Sequence, residues 1–358
     1  MSPTLQALLD DGAGFAAEYQ GGLSNHLPMA LLALRRLGAS DQRLSAFFAG
    51  YSPRLEAAPA PVAWPAGDPW RGRFGQVRAE PAYRHLFRLW FTHEEGRAVL
   101  AQALPPLMAG CGAAAFHGLI RTAYAVQSGH LAEIADALAY WACRHLPISL
   151  SPGAAAPGAE GSTDLPQTLA ALPRVKSKAT LIFERMAVVA GHKKFAPTAG
   201  RLTVDAQTLP ALARHAAQAY AISGNFVALH LVTSAHALRV LLPFIDDASD
   251  DANVDAIVDA NRAVRDYWCA YAAAYAAAFP ATFTAGAVVS EVVSDAADEA
   301  SSLLTWPTII KRAIGDNDEH VIKLVDSCRE EERAYGGSVW RRAASRAVLS
   351  TAAARAGQ

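Results

Sequence analysis

The stretch from Cys111 to Val126 constrains the fold most, because it is small and apolar throughout except for His117 and Arg121. Read as a helix, it places these two side chains four residues apart on one face of a segment that is otherwise typical of a buried core. Polar and charged side chains that leave water need partners. The stretch therefore predicts a polar cavity or a ligand site, although a satisfied structural histidine beside an arginine that reaches the surface fits it equally well.

The composition indicates a helical protein of one large domain or two, long enough to bury a sizeable core, with 149–163 as the place for a boundary if there is one. Hydrophobic residues make up 52% of the 358 residues, and much of that fraction is alanine, the best helix former. The formal net charge of −1 argues against a nucleic-acid partner. We expect an all-α fold in a single domain, residues 1–358, with loops rich in Pro, Ala and Gly near 53–80 and 149–163 and a solvated lysine-rich loop over 169–203.

The sequence favours a soluble cytoplasmic protein. The four cysteines are far apart and form no CxxC pair, which is typical of buried thiols in a reducing compartment. The first residues have no basic segment followed by an apolar one, so no signal peptide is predicted. The uncharged stretch from Tyr267 to Val289 contains Pro280 and is interpreted as a buried core helix ending near that proline rather than as a membrane span.

His26 is predicted at the beginning of a helix. Ser24 or Asn25 can cap this helix, Pro28 suits its first turn, and Gly38 suits its C-terminal cap. The helix dipole disfavours the protonated form of an imidazole at this end, which keeps the ring neutral and able to bind a metal ion. A plain capping role for His26 stays open.

Two other groups of polar residues are interpreted as solvated. His85 and His93 lie in charged surroundings, which favours positions at the rim of the protein. His130, Glu133 and Asp136 are expected to form a surface face at the beginning of an amphipathic helix.

His230 and His236 belong to a mostly apolar helix. Their separation of six residues places them on different faces, so one can point into a site while the other supports it or has a structural role.

The last informative stretch contains His320 and Lys323, three residues apart on one face of a helix that Asp316 can cap. A buried lysine with a lowered pKa can act as a base or nucleophile, or be carboxylated so that it offers a carboxylate. A lysine at the edge of an amphipathic helix fits this motif as well.

The absence of several motifs narrows the chemistry. No histidine follows a glutamate by three residues, which excludes the Glu-x-x-His pattern of ferritin-like bundles, and HExxH, P-loop and nucleophile-elbow motifs are also missing. What remains is four histidines from separate helical segments, which suggests a central, polar, histidine-lined cavity and suits iron, copper, zinc or nickel. A haem protein, a zinc hydrolase or lyase, and a metal-free helical binding protein are the alternatives. The four histidines are His26, His117, His230 and His320.

Four stretches together resemble the spaced blocks of the questin oxidase-like family. They run from about residue 20 to residue 335 and read NHLPMALLALRRLGAS, FHGLIRTAYAV with AEIADALAYWA, FVALHLVTSAHALRVLLP, and DNDEHVIKLV. The resemblance implies an all-helical oxidoreductase that opens an aromatic, polyketide-like ring in an oxygen-dependent, Baeyer–Villiger-type step. It also implies a non-haem iron, or another transition metal, held by histidines. A lysine, either unmodified or carboxylated, belongs to the implied site as well.

Carried over block by block, the resemblance places the metal ligands at His26, His117, His230, His320 and Lys323. The sequence departs from fungal members at two positions, with His236 in place of an apolar residue and Arg121 where some members carry histidine. These departures concern the substrate more than the metal.

The remaining assignments follow from this hypothesis. Arg121 would stabilise developing negative charge, Asn25 and Asp316 would orient ligands, His236 would orient a ligand or the substrate, and Lys323 is also a candidate base. The expected partners are O2 and a small aromatic or polyketide-like substrate, with NADPH as a candidate reductant and with neither nucleic acid nor membrane.

Overall fold

The protein is nearly all helical. A computed structural model describes residues 1–148, 150, 164–246, 260–283 and 303–356. The predicted loop at 149–163 lies outside the described residues except for residue 150, as do the last six residues of the stretch from Tyr267 to Val289. The described helices are α1 (Pro3–Gly12), α2 (Leu27–Leu37), α3 (Asp41–Tyr51), α4 (Glu80–His93), α5 (Gly96–Met108), α6 (His117–Ser128), α7 (Leu131–Arg144), α8 (Leu165–Ala171), α9 (Ile182–Ala190), α10 (Phe195–Ala199), α11 (Thr208–Ser223), α12 (Phe226–Asp246), α13 (Ala260–Ala278), α14 (Trp306–Ile314), α15 (Glu319–Tyr335) and α16 (Val339–Ala356).

The chain divides into two compact units. The first comprises Met1–Pro147 with Ala237–Tyr267, and the second Ile148–His236 with Trp268–Gln358, so that α12 and α13 contribute residues to both. The expectation of a single domain stays a prediction, whereas the all-α prediction is confirmed.

In the first unit, α7 packs against α4 and α6, and α2 packs against α6. The predicted bounds of α2 are confirmed: Pro28 lies in its first turn, and Gly38 ends it with a φ of 96°, a conformation that glycine adopts without steric cost. The irregular stretch before α4 contains only short 3-10 helices, at Ser52–Arg54, Trp70–Arg73 and Val77–Ala79, as expected of a surface loop.

A small antiparallel hairpin precedes α2. Its strands, β1 (Glu18–Tyr19) and β2 (Leu23–Ser24), pair Glu18 with Ser24. The turn between them contains Gly21 and Gly22 at positive φ. This hairpin brings the chain to His26 at the beginning of α2.

Helix α6 begins later than the sequence predicts. The expected helix over Cys111 to Val126 is wrong in its first turns, because Ala114, Ala115 and Phe116 have φ values of 45°, 56° and 70°. These left-handed residues form a turn that interrupts the expected helix, and α6 begins directly after it at His117. Gly118 then lets the backbone of α6 approach Trp141 of α7, where an added Cβ would lie 2.8 Å from the Trp141 side chain.

In the second unit, α15 packs against α16 and α14, and α11 packs against α16. The indole Nε1 of Trp268 donates to the carbonyl of Ala199 at 2.9 Å, which fixes α13 on the short helix α10. The prediction of a lysine-rich loop over 169–203 is wrong, because α8, α9 and α10 carry buried apolar residues such as Met186 and Phe195.

One helical segment, Phe226–Ile245, is long and apolar enough to cross a membrane, although 72% of its apolar window is buried inside the protein. The core helix of a soluble protein passes the same test. The stretch that begins at Tyr267 behaves as predicted within the described residues: α13 is buried from Tyr267 to Ala276 and ends at Ala278, just before Pro280.

Candidate metal centre

The first unit holds a buried pair of histidines, His26 and His117. Their Nε2 atoms lie 2.9 Å apart, and the rings meet edge to face with centroids 4.6 Å apart. The two side chains come from the beginnings of α2 and α6, and only about 5% of either residue is exposed to solvent. The prediction that these two segments carry neighbouring histidines in a polar site agrees with this geometry.

The second nitrogen of each ring determines what the pair can bind. Nδ1 of His26 lies 2.5 Å from the carbonyl oxygen of Ser24, and Nδ1 of His117 lies against the carbonyl oxygen of Ala114. A carbonyl oxygen only accepts hydrogen bonds, so each Nδ1 carries the proton and each Nε2 presents a lone pair. Two lone pairs that face each other at 2.9 Å require a cation or a proton between them. The His26–His117 pair could therefore hold a metal ion.

Asn25 fixes the entry of the chain into α2. Its side-chain oxygen accepts from the backbone N–H of Leu27 at 3.0 Å, and its amide nitrogen donates to the carbonyl of Ala16, also at 3.0 Å. The hydroxyl of Tyr51 accepts the backbone N–H of His26 at 3.2 Å. These contacts fix the backbone on both sides of His26, and the predicted role of Asn25 in orienting a ligand stays a prediction.

Arg121 is buried as predicted, and its partner is Glu133 of α7. Nε and Nη2 of Arg121 donate to the two oxygens of Glu133 at 2.6 and 2.8 Å. Burial acts to lower the pKa of Arg121, but the charge and hydrogen bonds of Glu133 outweigh it and raise that pKa overall. The guanidinium is therefore a permanent cation that keeps Nη1 as a further donor. The predicted catalytic role of Arg121 stays a prediction.

The predicted surface face of α7 is wrong. His130, Glu133 and Asp136 are each exposed by 4% or less. Asp136 accepts paired hydrogen bonds from Arg84 and Arg88 of α4, at 2.8 to 3.1 Å. The polar residues of α7 face charged groups on neighbouring helices rather than solvent. The sequence of α7 alone does not show this, because the partners lie on other helices.

The second unit holds another pair of histidines, His230 of α12 and His320 of α15. Their ring centroids lie 5.6 Å apart, and the ring of Phe226 contacts both, with centroid distances of 4.6 and 4.8 Å. Nδ1 of His230 donates to the carbonyl of Phe226 at 2.8 Å, which again directs Nε2 away from the backbone. Burial, with the nearby charge of His320, lowers the pKa of His230 to about 3 and keeps this ring neutral.

Lys323 follows His320 by one turn of α15 and is only 1% exposed. Burial lowers the pKa of its ammonium group to about 7, even though the carboxylates of Glu319 and Asp318 act in the opposite direction. Of the two interpretations that the sequence left open, the structure has the buried lysine rather than a lysine at the edge of an amphipathic helix, and the role of Lys323 stays a prediction.

Asp318, not Asp316, caps α15. The Asp318 carboxylate accepts the backbone N–H of His320 at 2.8 Å and lies 3.3 Å from Nδ1 of the same residue. Asp316 accepts instead from the backbone N–H of Asp318 at 3.0 Å. Asp318, Glu319 and His320 offer ligand atoms within 4.8 Å of one another, so they are a second group with the composition of a cation site. The orienting role of Asp316 stays a prediction.

His236 contacts a residue that the sequence did not single out. Its Nδ1 lies 2.7 Å from Oε1 of Glu331 on α15, and the two side chains are 3% and 0% exposed. A buried histidine and carboxylate in this geometry can hold or transfer a proton. Glu331 follows Lys323 by eight residues and thus shares its face of the helix, which is the one sequence signal that pointed to it.

The histidines predicted to lie outside the site do so. His85 is half-buried and His93 is exposed, while all four cysteines are buried free thiols, as expected. Within the described residues, the structure thus places the predicted histidine ligands in one pair per unit, of which His320 is partly exposed, and Lys323 is buried one turn beyond His320.

Comparison with known proteins agrees with these geometric findings. No curated protein matches the chain. The family model described as Questin oxidase-like matches residues 23–328, a range that contains all five predicted metal ligands. Since this match covers most of the chain, the protein belongs to the Questin oxidase-like family.

Proposed function

We propose that this protein is an oxygen-dependent oxidoreductase that oxygenates a small aromatic or polyketide-like substrate at a histidine-bound non-haem metal. The family supports an oxidase, and the buried His26–His117 pair supports a metal. The observation that carries the proposal is the convergence of two imidazole Nε2 lone pairs, from His26 and His117, at 2.9 Å in a buried position. Such a pair is satisfied by a shared proton or by a metal ion, and neutral imidazole nitrogens are common metal ligands.

In the proposed centre, the ligands are His26, His117, His230, His320 and Lys323. The donor set is chemically consistent: three of the rings orient Nδ1 toward a backbone carbonyl, the usual support of a metal-bound imidazole, and His320 has Asp318 in that role. Neutral imidazoles suit iron and other late first-row metals. When bound, iron supplies the one-electron chemistry that lets O2 react with an organic substrate.

Lys323 completes the proposed set as a neutral amine. A pKa of about 7 leaves much of this side chain unprotonated near neutral pH, which is the form that reacts with carbon dioxide to give a carbamate. The product would offer a carboxylate oxygen in place of an ammonium group that binds metals poorly. The same neutral amine could also serve as a base.

Two buried pairs of side chains, Arg121 with Glu133 and His236 with Glu331, would supply polar functions to the proposed substrate. Arg121 would use its Nη1 donor to stabilise negative charge that develops on a phenolic oxygen, while Glu133 holds the guanidinium plane in place. His236, held by Glu331, would donate or accept a proton. Both groups are buried away from water. Hydrogen bonds and charges interact more strongly in such an interior than in water.

The proposal is tested by elemental analysis of the freshly purified, untagged protein beside its His117→Ala and His85→Ala variants. We expect near-stoichiometric iron in the wild type and in His85→Ala, whose histidine lies at the rim, and loss of iron in His117→Ala. Oxygen uptake with aromatic polyketides, with and without NADPH, then tests the reaction. A Soret band would favour a haem protein instead, bound zinc without oxygen uptake a zinc enzyme, and the absence of metal in every sample a metal-free binding protein.

A further inference from the structure

A cavity lies in the first unit, and none of its lining residues is a proposed metal ligand. Its volume is about 350 Å³. The hairpin before α2, the turn that leads into α4 and the last turn of α7 form its walls. Pro59, Pro81, Val77 and the two alanines Ala16 and Ala17 make most of this surface apolar. Cavities of this size accommodate small molecules of one to three rings.

One cation at the rim of the cavity has no ion-pair partner among the described residues. Glu18 is neutralised by Arg144, with which it forms an ion pair, and it also accepts from the Tyr140 hydroxyl at 3.0 Å. Arg78 is exposed at the rim and forms neither an ion pair nor a hydrogen bond within the part of the chain that the structure describes. The cavity therefore presents a guanidinium group to any ligand that enters it, and guanidinium groups bind carboxylates in two-point geometry.

Glu80 adds a second polar group to the lining. It is 9% exposed, and the nearest cation, Arg84, lies 3.7 Å away and donates its hydrogen bonds to Asp136 and to the carbonyl of Ala13 instead. No hydrogen bond to the Glu80 carboxyl is found among the described residues. Burial raises the pKa of this carboxyl, which favours its protonated form, able both to donate and to accept.

We propose that this cavity binds a small hydroxylated aromatic carboxylate. The ring would lie against the prolines and alanines, the carboxylate would pair with Arg78 at the rim, and the hydroxyl would hydrogen-bond with Glu80. Each group of the ligand thus meets a group of the protein that has no such partner within the described chain. The site does not depend on the proposed metal, so it can be tested whatever the metal analysis shows.

Isothermal titration calorimetry of the full-length protein with hydroxynaphthoate tests this proposal. We expect saturable binding to the wild type with a 1:1 stoichiometry, at least tenfold weaker binding to Arg78→Glu, and no measurable binding to Ala17→Phe, which fills the cavity. The matched control is Arg71→Glu, the same charge reversal on an exposed arginine of the same loop outside the cavity lining. It should bind as the wild type does.

Two ligand analogues test the polar contacts. Naphthylmethylammonium, which carries the opposite charge, should bind at least tenfold more weakly than hydroxynaphthoate, and naphthoate, which lacks the hydroxyl, should bind severalfold more weakly. Circular dichroism would establish that each variant is folded. Absence of binding by the wild type, equal binding of the cationic analogue, or unchanged binding by both Arg78→Glu and Ala17→Phe would overturn the proposal.

Discussion

The buried ion pair between Arg121 and Glu133 permits a quantitative test of the core of the first unit. Replacing Glu133 with glutamine keeps the shape of the side chain but removes its charge. The pair is 5% and 3% exposed, and it is joined by two hydrogen bonds of 2.6 and 2.8 Å. Hydrogen bonds to charged groups contribute about 1.5–3 kcal/mol each. Removal of one partner from a buried pair costs about 3–5 kcal/mol in all, because the remaining charge stays buried without compensation.

We therefore expect Glu133→Gln to lower the free energy of unfolding by about 3–5 kcal/mol, measured by urea titration with tryptophan fluorescence. The control is Glu330→Gln, the same change in a surface pair whose partner, Arg333, has a side chain that is 58% exposed. Such pairs contribute about 0–1 kcal/mol. The double variant Arg121→Met with Glu133→Leu should recover most of the loss, because it removes both charges. A cost of less than about 1 kcal/mol for Glu133→Gln would refute the reasoning.

Three further changes test other parts of the fold. Burial lowers the pKa of His215 to about 4, so the unfolded chain binds a proton before the folded protein does as the pH falls, and stability is lost between pH 6.5 and 4. Between pH 7 and pH 5, the free energy of unfolding of the wild type should fall by about 2 kcal/mol more than that of His215→Gln. Gly118→Ala should lower the melting temperature, since the new methyl group would overlap Trp141 at 2.8 Å and cost about 1–3 kcal/mol. Asp318→Ala removes the cap that accepts from His320 and should cost about 1 kcal/mol in urea unfolding.

Each of these predictions has an outcome that contradicts it. For His215, it is a difference between wild type and variant that does not change from pH 7 to pH 5. For Gly118, it is an unchanged melting temperature. For Asp318, it is a loss of unfolding free energy no larger than that caused by Asn317→Ala, a substitution just outside the helix.

Local signals predicted the parts of the fold that depend on neighbours in sequence. Pro28 and Gly38 bound α2 correctly, because a proline in the first turn and a glycine at the C-cap act within a few residues. The late start of α6 at His117 was not predictable in this way. Neither Ala114 nor Phe116 carries a glycine signal for its left-handed conformation, so tertiary packing imposes it.

The candidate site shows the same limit. The identities of the histidines and of Lys323 could be predicted from the sequence and from family resemblance, since they stand out against apolar surroundings. Their partners could not, because the contacts are long-range. His236 meets Glu331 95 residues later, and the polar positions of α7 read as a surface until α4 and α6 supply Arg84 and Arg121. A charged residue on one helix can be recognised as buried only when the oppositely charged residue that it contacts on another helix is known.

The left-handed turn from Ala114 to Phe116 has an evolutionary consequence. Left-handed backbone costs about 1–2 kcal/mol for each residue other than glycine, and glycine at Ala114 or Ala115 would remove most of that cost. Glycine would also let the turn sample other conformations, and the Ala114 carbonyl that receives Nδ1 of His117 would lose its fixed direction. A lineage selected for stability alone should drift toward glycine here, whereas one selected for a rigid imidazole should retain the strained residues. Alanine at these two positions thus keeps the Ala114 carbonyl in a fixed direction toward His117 at a cost in backbone energy.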